Sequence, residues 1–86
     1  MDTKHLIKIY KSFEKSEFEE YFSNIGMAEV NGFYNGDGWR VKIGDEEEVF
    51  VGAFRMRQIK IELWLREDIE KQFIEDMRIE FLRGGG

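Results

Sequence analysis

The sequence predicts an α+β fold of element order β-α-β-β-β-β-α, an antiparallel sheet with two helices on one face. Two observations lead to this prediction. Residues 39–66 contain runs in which apolar and polar side chains alternate, and a period of two is typical of half-buried strands. On both sides of that stretch, apolar residues recur every three or four positions, as in amphipathic helices. We therefore expect the central stretch to form the sheet on which both helices pack.

Length and composition favour one soluble domain. With 86 residues, of which 42% are hydrophobic and 15% aromatic, the chain can build a single core. We expect one domain over residues 1–82 and a short tail at residues 83–86. No run approaches the roughly 18 apolar residues of a membrane span, and the first residues lack the apolar run of a signal peptide. The prediction is a cytoplasmic protein without membrane contact.

Several function classes are disfavoured by residue content. The chain has no cysteine, which removes disulfides, thiolate zinc sites and cysteine nucleophiles. His5 is the only histidine, so neither a histidine metal site nor a catalytic triad has its partners, and a surface or packing role is expected for it. The acidic run at residues 45–48 lacks the alternate spacing of a calcium loop. We expect no enzyme activity, no cofactor and no metal.

The first elements are a short strand at residues 6–10 and a helix. The sequence from Ser16 to Glu19 has the form of a capping box, which marks a helix start. Gly26 is expected to end the helix in the left-handed conformation. The apolar stripe of this helix consists of Phe18, Tyr21, Phe22 and Ile25.

Four further strands are expected, at residues 27–34, 39–43, 49–56 and 59–66. Asn31 and Gly32 interrupt the first of these, where a bulge is expected. The turn chemistry of residues 35–38, two glycines with Asn and Asp, predicts a hairpin. The acidic residues 44–48 and then Arg57 with Gln58 are interpreted as the other two turns.

The last element is predicted to be a helix from about Asp68 to about Leu82. Its stripe of Ile69, Phe73, Met77 and Phe81 recurs every four residues. With this helix the order of elements resembles the TATA-binding-protein-like (TBP-like) group of folds. The predicted core includes Phe18, Phe22, Ile61 and Phe73.

Four segments of the chain carry a family resemblance: residues 32–38, 39–41, 59–63 and the terminal run 70–86, which closes on Arg-Gly-Gly-Gly. Together they resemble the C-terminal domain of MoaD-related proteins. In those proteins a ubiquitin-like sulfur-carrier domain, related to the small subunit of molybdopterin synthase, precedes a domain of this size. Here the domain is expected to be free-standing. The resemblance implies a non-enzymatic role by protein contact, accessory to a ubiquitin-like sulfur carrier or to molybdopterin biosynthesis.

A candidate interaction face is expected on the side of the sheet away from the helices. There, Lys and Arg side chains are interleaved with aromatic residues. This composition is suited to a partner protein, a second copy, an anionic ligand or stacked nucleobases. A face that is merely structural is the alternative, and the net charge of −5 makes nucleic acid the least favoured ligand. The candidate residues are Arg40, Lys42, Phe50, Phe54, Lys60, Trp64 and Arg66.

The terminal glycines are a second candidate site. Ubiquitin-like carriers end in a flexible Gly-Gly whose carboxylate is activated, and Gly84, Gly85 and Gly86 would meet that steric requirement. The alternatives are a frayed end, a processing scar or a linker. On this interpretation the chain would be a modifier-like substrate.

Overall fold

The fold is one antiparallel sheet with two helices on one face. The computed structural model describes residues 2–82. The strands lie in the order β1-β5-β4-β3-β2, and neighbouring strands are antiparallel. The predicted fold class is confirmed. The elements are β1 (Thr3–Lys11), α1 (Lys15–Ile25), β2 (Met27–Ala28), a 3-10 turn (Val30–Gly32), β3 (Phe33–Gly36), β4 (Trp39–Val51), β5 (Phe54–Arg66) and α2 (Glu67–Glu80).

The core lies between the sheet and the two helices. Ile43 of β4 pairs with Ile61 of β5, and their side chains are 3% and 0% exposed. The rings of Phe22 in α1 and Phe73 in α2 lie 6.4 Å apart, so the helices meet above the same sheet face. The largest fully buried side chains are Phe18, Phe22, Val41, Ile59, Ile61, Leu63, Leu65 and Met77.

The N-cap of helix α1 lies two residues before Ser16, the N-cap of the predicted capping box. Glu14 is the N-cap, its N–H donates to the carboxylate of Glu17 at 2.8 Å, and the Glu17 N–H donates to the Glu14 carbonyl at 3.1 Å. The N–H of Lys15 donates to the Glu46 carboxylate at 2.7 Å. This contact with β4 satisfies an N-terminal amide that a local cap would otherwise have to serve.

Gly26 does not adopt the predicted left-handed conformation. Its φ and ψ are both −157°, which is extended backbone. A Cβ at this position would collide with the carbonyl oxygen of Asn35 and the ring of Trp39. Glycine is therefore required here because the backbone passes close to β3 and β4.

The segment predicted as one strand at residues 27–34 is split. Asn31 and Gly32 have φ of 62° and 79°, and they lie in the 3-10 turn between β2 and β3. The interruption is where the sequence predicts it, but it is a turn rather than a bulge. The predicted hairpin at residues 35–38 joins β3 to β4, with Gly36 paired to Trp39.

The turns predicted at residues 44–48 and 57–58 are wrong. β4 continues through the acidic run with one register irregularity between Ile43 and Glu46, and the chain reverses instead at Gly52, whose φ is 62°. β4 and β5 therefore form one long hairpin. Its length contributes to an elongated molecule of 46 × 28 × 21 Å.

Arginines on the opposite strand explain why the acidic run remains in the sheet. Glu46 lies 3.3 Å from Arg57, and Glu48 lies 3.5 Å from Arg55. Each pair joins β4 to β5, so the carboxylates are not left to repel one another. Cross-strand arginines thus offset part of the repulsion within the acidic run, at Glu46 and Glu48.

Helix α2 begins at Glu67 and ends at Glu80, close to the predicted limits. Met77 is its fully buried residue, whereas Phe73 packs against the core but remains partly exposed. The predicted core residues Phe18, Phe22 and Ile61 are fully buried.

Candidate interaction face

The side of the sheet opposite the helices is called the open face here. His5 of β1 pairs with Trp64 of β5, Trp64 with Arg40 of β4, and Arg40 with Asn35 of β3. Paired residues project from the same face of a sheet, and Leu63, next to Trp64, is buried under the helices. This row therefore lies on the uncovered side. The open face consists of His5, Ile7, Ile9, Phe33, Asn35, Arg40, Lys42, Lys60, Glu62 and Trp64.

Trp64 is the centre of an aromatic row on the open face. Its ring stacks on His5 with centroids 4.9 Å apart and planes 7° from parallel. Phe33 lies 6.1 Å from Trp64 at 33°. The His5 Nε2 is 3.0 Å from the Glu62 carboxylate, which orients the imidazole against the indole. Trp64 is thus held by contacts from two other strands, β1 and β3.

Two cations lie over the ring of Phe33. The Arg40 Cζ is 4.1 Å and the Lys42 Nζ is 5.4 Å from its centroid, both within cation–π range. The Arg40 guanidinium also lies 3.5 Å from Glu29, which accepts a hydrogen bond from the Asn35 amide. Arg40 is therefore positioned by contacts on both sides while half of its side chain stays accessible.

Apolar and basic side chains extend the row along the strands. Ile7 and Ile9 of β1 are 54% and 56% exposed. Ile9 pairs with Lys60 of β5, which is exposed and has no ion-pair partner among residues 2–82. This region combines accessible apolar area with an unneutralised positive charge.

Sequence reasoning identifies Arg40, Lys42, Lys60 and Trp64 but misses His5 and Phe33. His5 is missed because nothing local indicates that β1 pairs with β5. Phe33 could have been identified from the sequence, because the predicted hairpin at residues 35–38 places it opposite Lys42, as observed. Extending the hairpin register by three residues would have identified it.

The two phenylalanines of the candidate set lie at the far end of the long hairpin, both 75% exposed. Phe54 is on the open-face side. Phe50 lies on the helix side of the sheet. On this part of β4, Glu46 accepts a hydrogen bond from the first residue of α1, and Phe50 lies four residues after Glu46 and therefore on the same side of the strand. The prediction that both share one face is wrong. It assumed a single strand over residues 49–56, whereas the chain turns at Gly52.

Arg66 is engaged at the end of β5. Its Nε lies 2.6 Å from Asp68 and its terminal nitrogen 3.6 Å from Asp37. The hydrogen bond and charge of Asp68 raise the pKa of the guanidinium, and the same hydrogen bond holds the pKa of Asp68 below its usual range. Arg66 therefore ties the β3–β4 turn to the start of α2.

The remaining candidates concern other chemistry. Gly84, Gly85 and Gly86 lie outside the described residues. Within residues 2–82, no three side chains of the histidine, aspartate and glutamate types are grouped closely enough to hold a metal ion. None of the helices formed by those residues has the length and apolar character needed to cross a bilayer.

Comparison with known proteins gives one family. The family model described as "Archaeal MoaD-like protein" matches residues 7–86. No curated protein matches the chain. The matched region includes about half of β1 and every later element, so the predicted resemblance to MoaD-related proteins is confirmed.

Proposed function

The chain belongs to the archaeal MoaD-like protein family, and from this premise we propose a non-catalytic protein that acts by protein contact. Its role is accessory to a ubiquitin-like sulfur carrier, in or near molybdopterin biosynthesis. The docking surface is the open face. The partner is the carrier or the enzyme that activates it.

The observation that supports this proposal most directly is the ordered aromatic and basic row of His5, Trp64, Phe33 and Arg40. Tryptophan and arginine are among the residues most enriched at binding hot spots. The stack with His5 at 4.9 Å and the cation over Phe33 at 4.1 Å already restrict these side chains. Binding therefore costs less conformational entropy than ordering free side chains would.

The topology supports an accessory role over that of the carrier itself. Within residues 2–82, four strands follow α1 in succession and every pair of neighbouring strands is antiparallel. The sheet of a β-grasp carrier contains a parallel pair of strands. This difference in strand arrangement favours an accessory role within the family.

A nucleic-acid ligand is less well supported. The net charge is −5, and Glu62 and Glu29 lie among the bases of the open face. Phosphate backbones require several clustered bases that are free of carboxylates. The same Trp64 stack is better suited to a protein surface with its own acidic rim.

The test uses the full chain with the purified MoaD-type carrier and its adenylating enzyme from the same organism. Calorimetry compares the unaltered chain with Trp64→Glu. The charge would be buried at the centre of the contact, so we expect affinity to fall by about tenfold or more. Ile79→Glu is the matched control, since Ile79 is 59% exposed on α2 and away from the open face.

Three results would contradict the proposal: no binding to either protein, equal losses in both variants, or binding that survives Trp64→Glu. Light scattering on the same samples reports self-association. A dimer that Trp64→Glu converts to a monomer would assign the open face to a second copy instead.

A further inference from the structure

Within residues 2–82, β1 forms a long unpaired edge of the sheet. Its nine residues pair there only with β5, whereas the opposite edge is formed by β2 with two residues. A strand at a sheet edge exposes unpaired N–H and C=O groups along its outer side. Those groups can accept an added strand.

Two backbone hydrogen bonds at the ends of β1 show which of its residues direct their N–H and C=O groups away from β5. The Glu67 N–H donates to the Asp2 carbonyl at 3.1 Å, and the Ser12 N–H donates to the Arg57 carbonyl at 3.0 Å. Both fit the register of the β1–β5 ladder, in which hydrogen-bonded pairs recur at every second residue. The even-numbered residues therefore bond to β5. His5, Ile7 and Ile9 direct their N–H and C=O groups away from the sheet.

The same residues carry the accessible apolar side chains. Ile7 and Ile9 are 54% and 56% exposed on the open-face side of β1. A strand added to this edge would make backbone hydrogen bonds with them and cover their outer flanks with its own side chains. The geometry therefore favours aliphatic residues at alternate positions of the incoming strand.

The positive charge of β1 favours acidic residues at the other positions of the incoming strand. β1 contains Lys4, Lys8 and Lys11 and no acid, although the chain as a whole has a net charge of −5. Lys4 and Lys8 lie on the helix side by alternation. Lys4 lies 3.4 Å from Glu70, and Lys8 has no ion-pair partner within the described part of the chain. Lysines on an edge strand oppose pairing with a second copy, because like charges would face each other.

We propose that the β1 edge binds an extended partner segment in which aliphatic and acidic residues alternate. The aliphatic residues flank Ile7 and Ile9, and the acidic residues flank Lys8. This edge adjoins the Trp64 row through Ile7 and Ile9, but it binds through outward backbone groups of β1, so the proposal does not depend on the function proposed above.

The experiment is amide hydrogen exchange by NMR on the full chain, with a short blocked peptide of alternating valine and glutamate as the probe. We expect exchange at Ile7 and Ile9 to slow by about tenfold or more, because their amides gain hydrogen bonds. Leu6 and Lys8 already donate to β5 and should change less. The control peptide has lysine in place of glutamate and should give no protection.

Ile7→Pro tests the backbone contact. Because the Ile7 N–H points outward, proline removes no bond to β5, and edge strands tolerate proline at such positions. Probe affinity should fall by about tenfold or more, while Ile7→Thr, which retains the N–H, should lose less. Melting temperatures confirm that each variant is folded.

Lys8→Glu tests the charge and does not depend on how proline is tolerated. It should weaken the glutamate probe and improve the lysine probe, while Trp64→Glu should leave both unchanged. The proposal is overturned if protection appears without alternation, if neither probe binds, or if folded Ile7→Pro binds as before. A dimer of the unaltered chain that Ile7→Pro dissociates would also overturn it, since β1 would then pair with itself.

Discussion

The two faces of the sheet are built from the same strands but differ in burial. Leu63 and Trp64 are adjacent on β5, yet Leu63 is fully buried beneath the helices, and Trp64 is partly exposed on the open face. Burial on β5 therefore changes from one residue of the strand to the next. Substitutions at neighbouring positions should have separable effects, and this separation can be tested.

The largest expected difference is between Leu63→Ala and Trp64→Ala. Leu63 is fully buried, so its truncation leaves a cavity and should cost about 2–5 kcal/mol of unfolding free energy. Trp64→Ala should cost about 1 kcal/mol or less, because its ring packs on an uncovered surface. Urea unfolding measures both. Equal losses would mean that the open face is part of the core.

Gly26→Ala should be next in size. An added Cβ would collide with the Asn35 carbonyl and the Trp39 ring, so α1 must shift away from the sheet. Overpacking of this kind typically costs about 1–3 kcal/mol. Ser23→Ala, on an exposed position of α1, is the control and should be close to neutral. If Gly26→Ala is also neutral, α1 is not tightly fitted to the covered face.

The ring stack of the open face should give a smaller effect. A double-mutant cycle of His5→Ala and Trp64→Ala should give a coupling of about 0.5–1 kcal/mol, at the lower end of the range for aromatic pairs because the rings lie on an uncovered surface. The parallel rings at 4.9 Å are the reason for this expectation. A coupling near zero in urea unfolding would mean that the stack of His5 on Trp64 does not stabilise the arrangement of the open face.

The smallest expected effect is on the pH dependence of the free energy of unfolding. The hydrogen bond from Arg66 lowers the pKa of Asp68 below the ordinary value of 3.8. A carboxylate with a lowered folded-state pKa stabilises the protein above its unfolded-state value, and this contribution is lost as pH falls through the folded-state pKa. Urea unfolding of the unaltered chain and Asp68→Asn should therefore differ at about pH 6 and converge toward about pH 3. A difference that persists in acid would show that the ion pair is not its source.

Much of the fold could be predicted because its signals are local. The alternation at residues 59–66 identifies β5 and its buried side, and the chemistry of residues 35–38 identifies the β3–β4 hairpin. Errors arise where distant partners override local preference. The acidic run at residues 44–48 has the composition of a turn, but Arg55 and Arg57 on β5 hold it in β4.

The candidate site shows the same division. Alternation along each strand predicts that Arg40, Lys42, Lys60 and Trp64 share the uncovered side of the sheet, which is where the strand pairing places them. Alternation from Arg40 along β4 cannot place Phe50, because the register irregularity between Ile43 and Glu46 reverses which residues of the strand face the helices. Nor can it find the stack of His5 on Trp64, which depends on a pairing between residues far apart in the chain.

By itself, then, the sequence determined the fold class, the buried side of β5 and the family, because period and turn chemistry act over a few residues. Only the tertiary structure decided that β1 lies beside β5 and that, among the described residues, its outer edge has no partner strand. It also decided why Gly26 must be glycine, since Asn35 and Trp39 approach it from other strands. The physical reason is that strand pairing and close packing join residues whose separation in sequence carries no local signal.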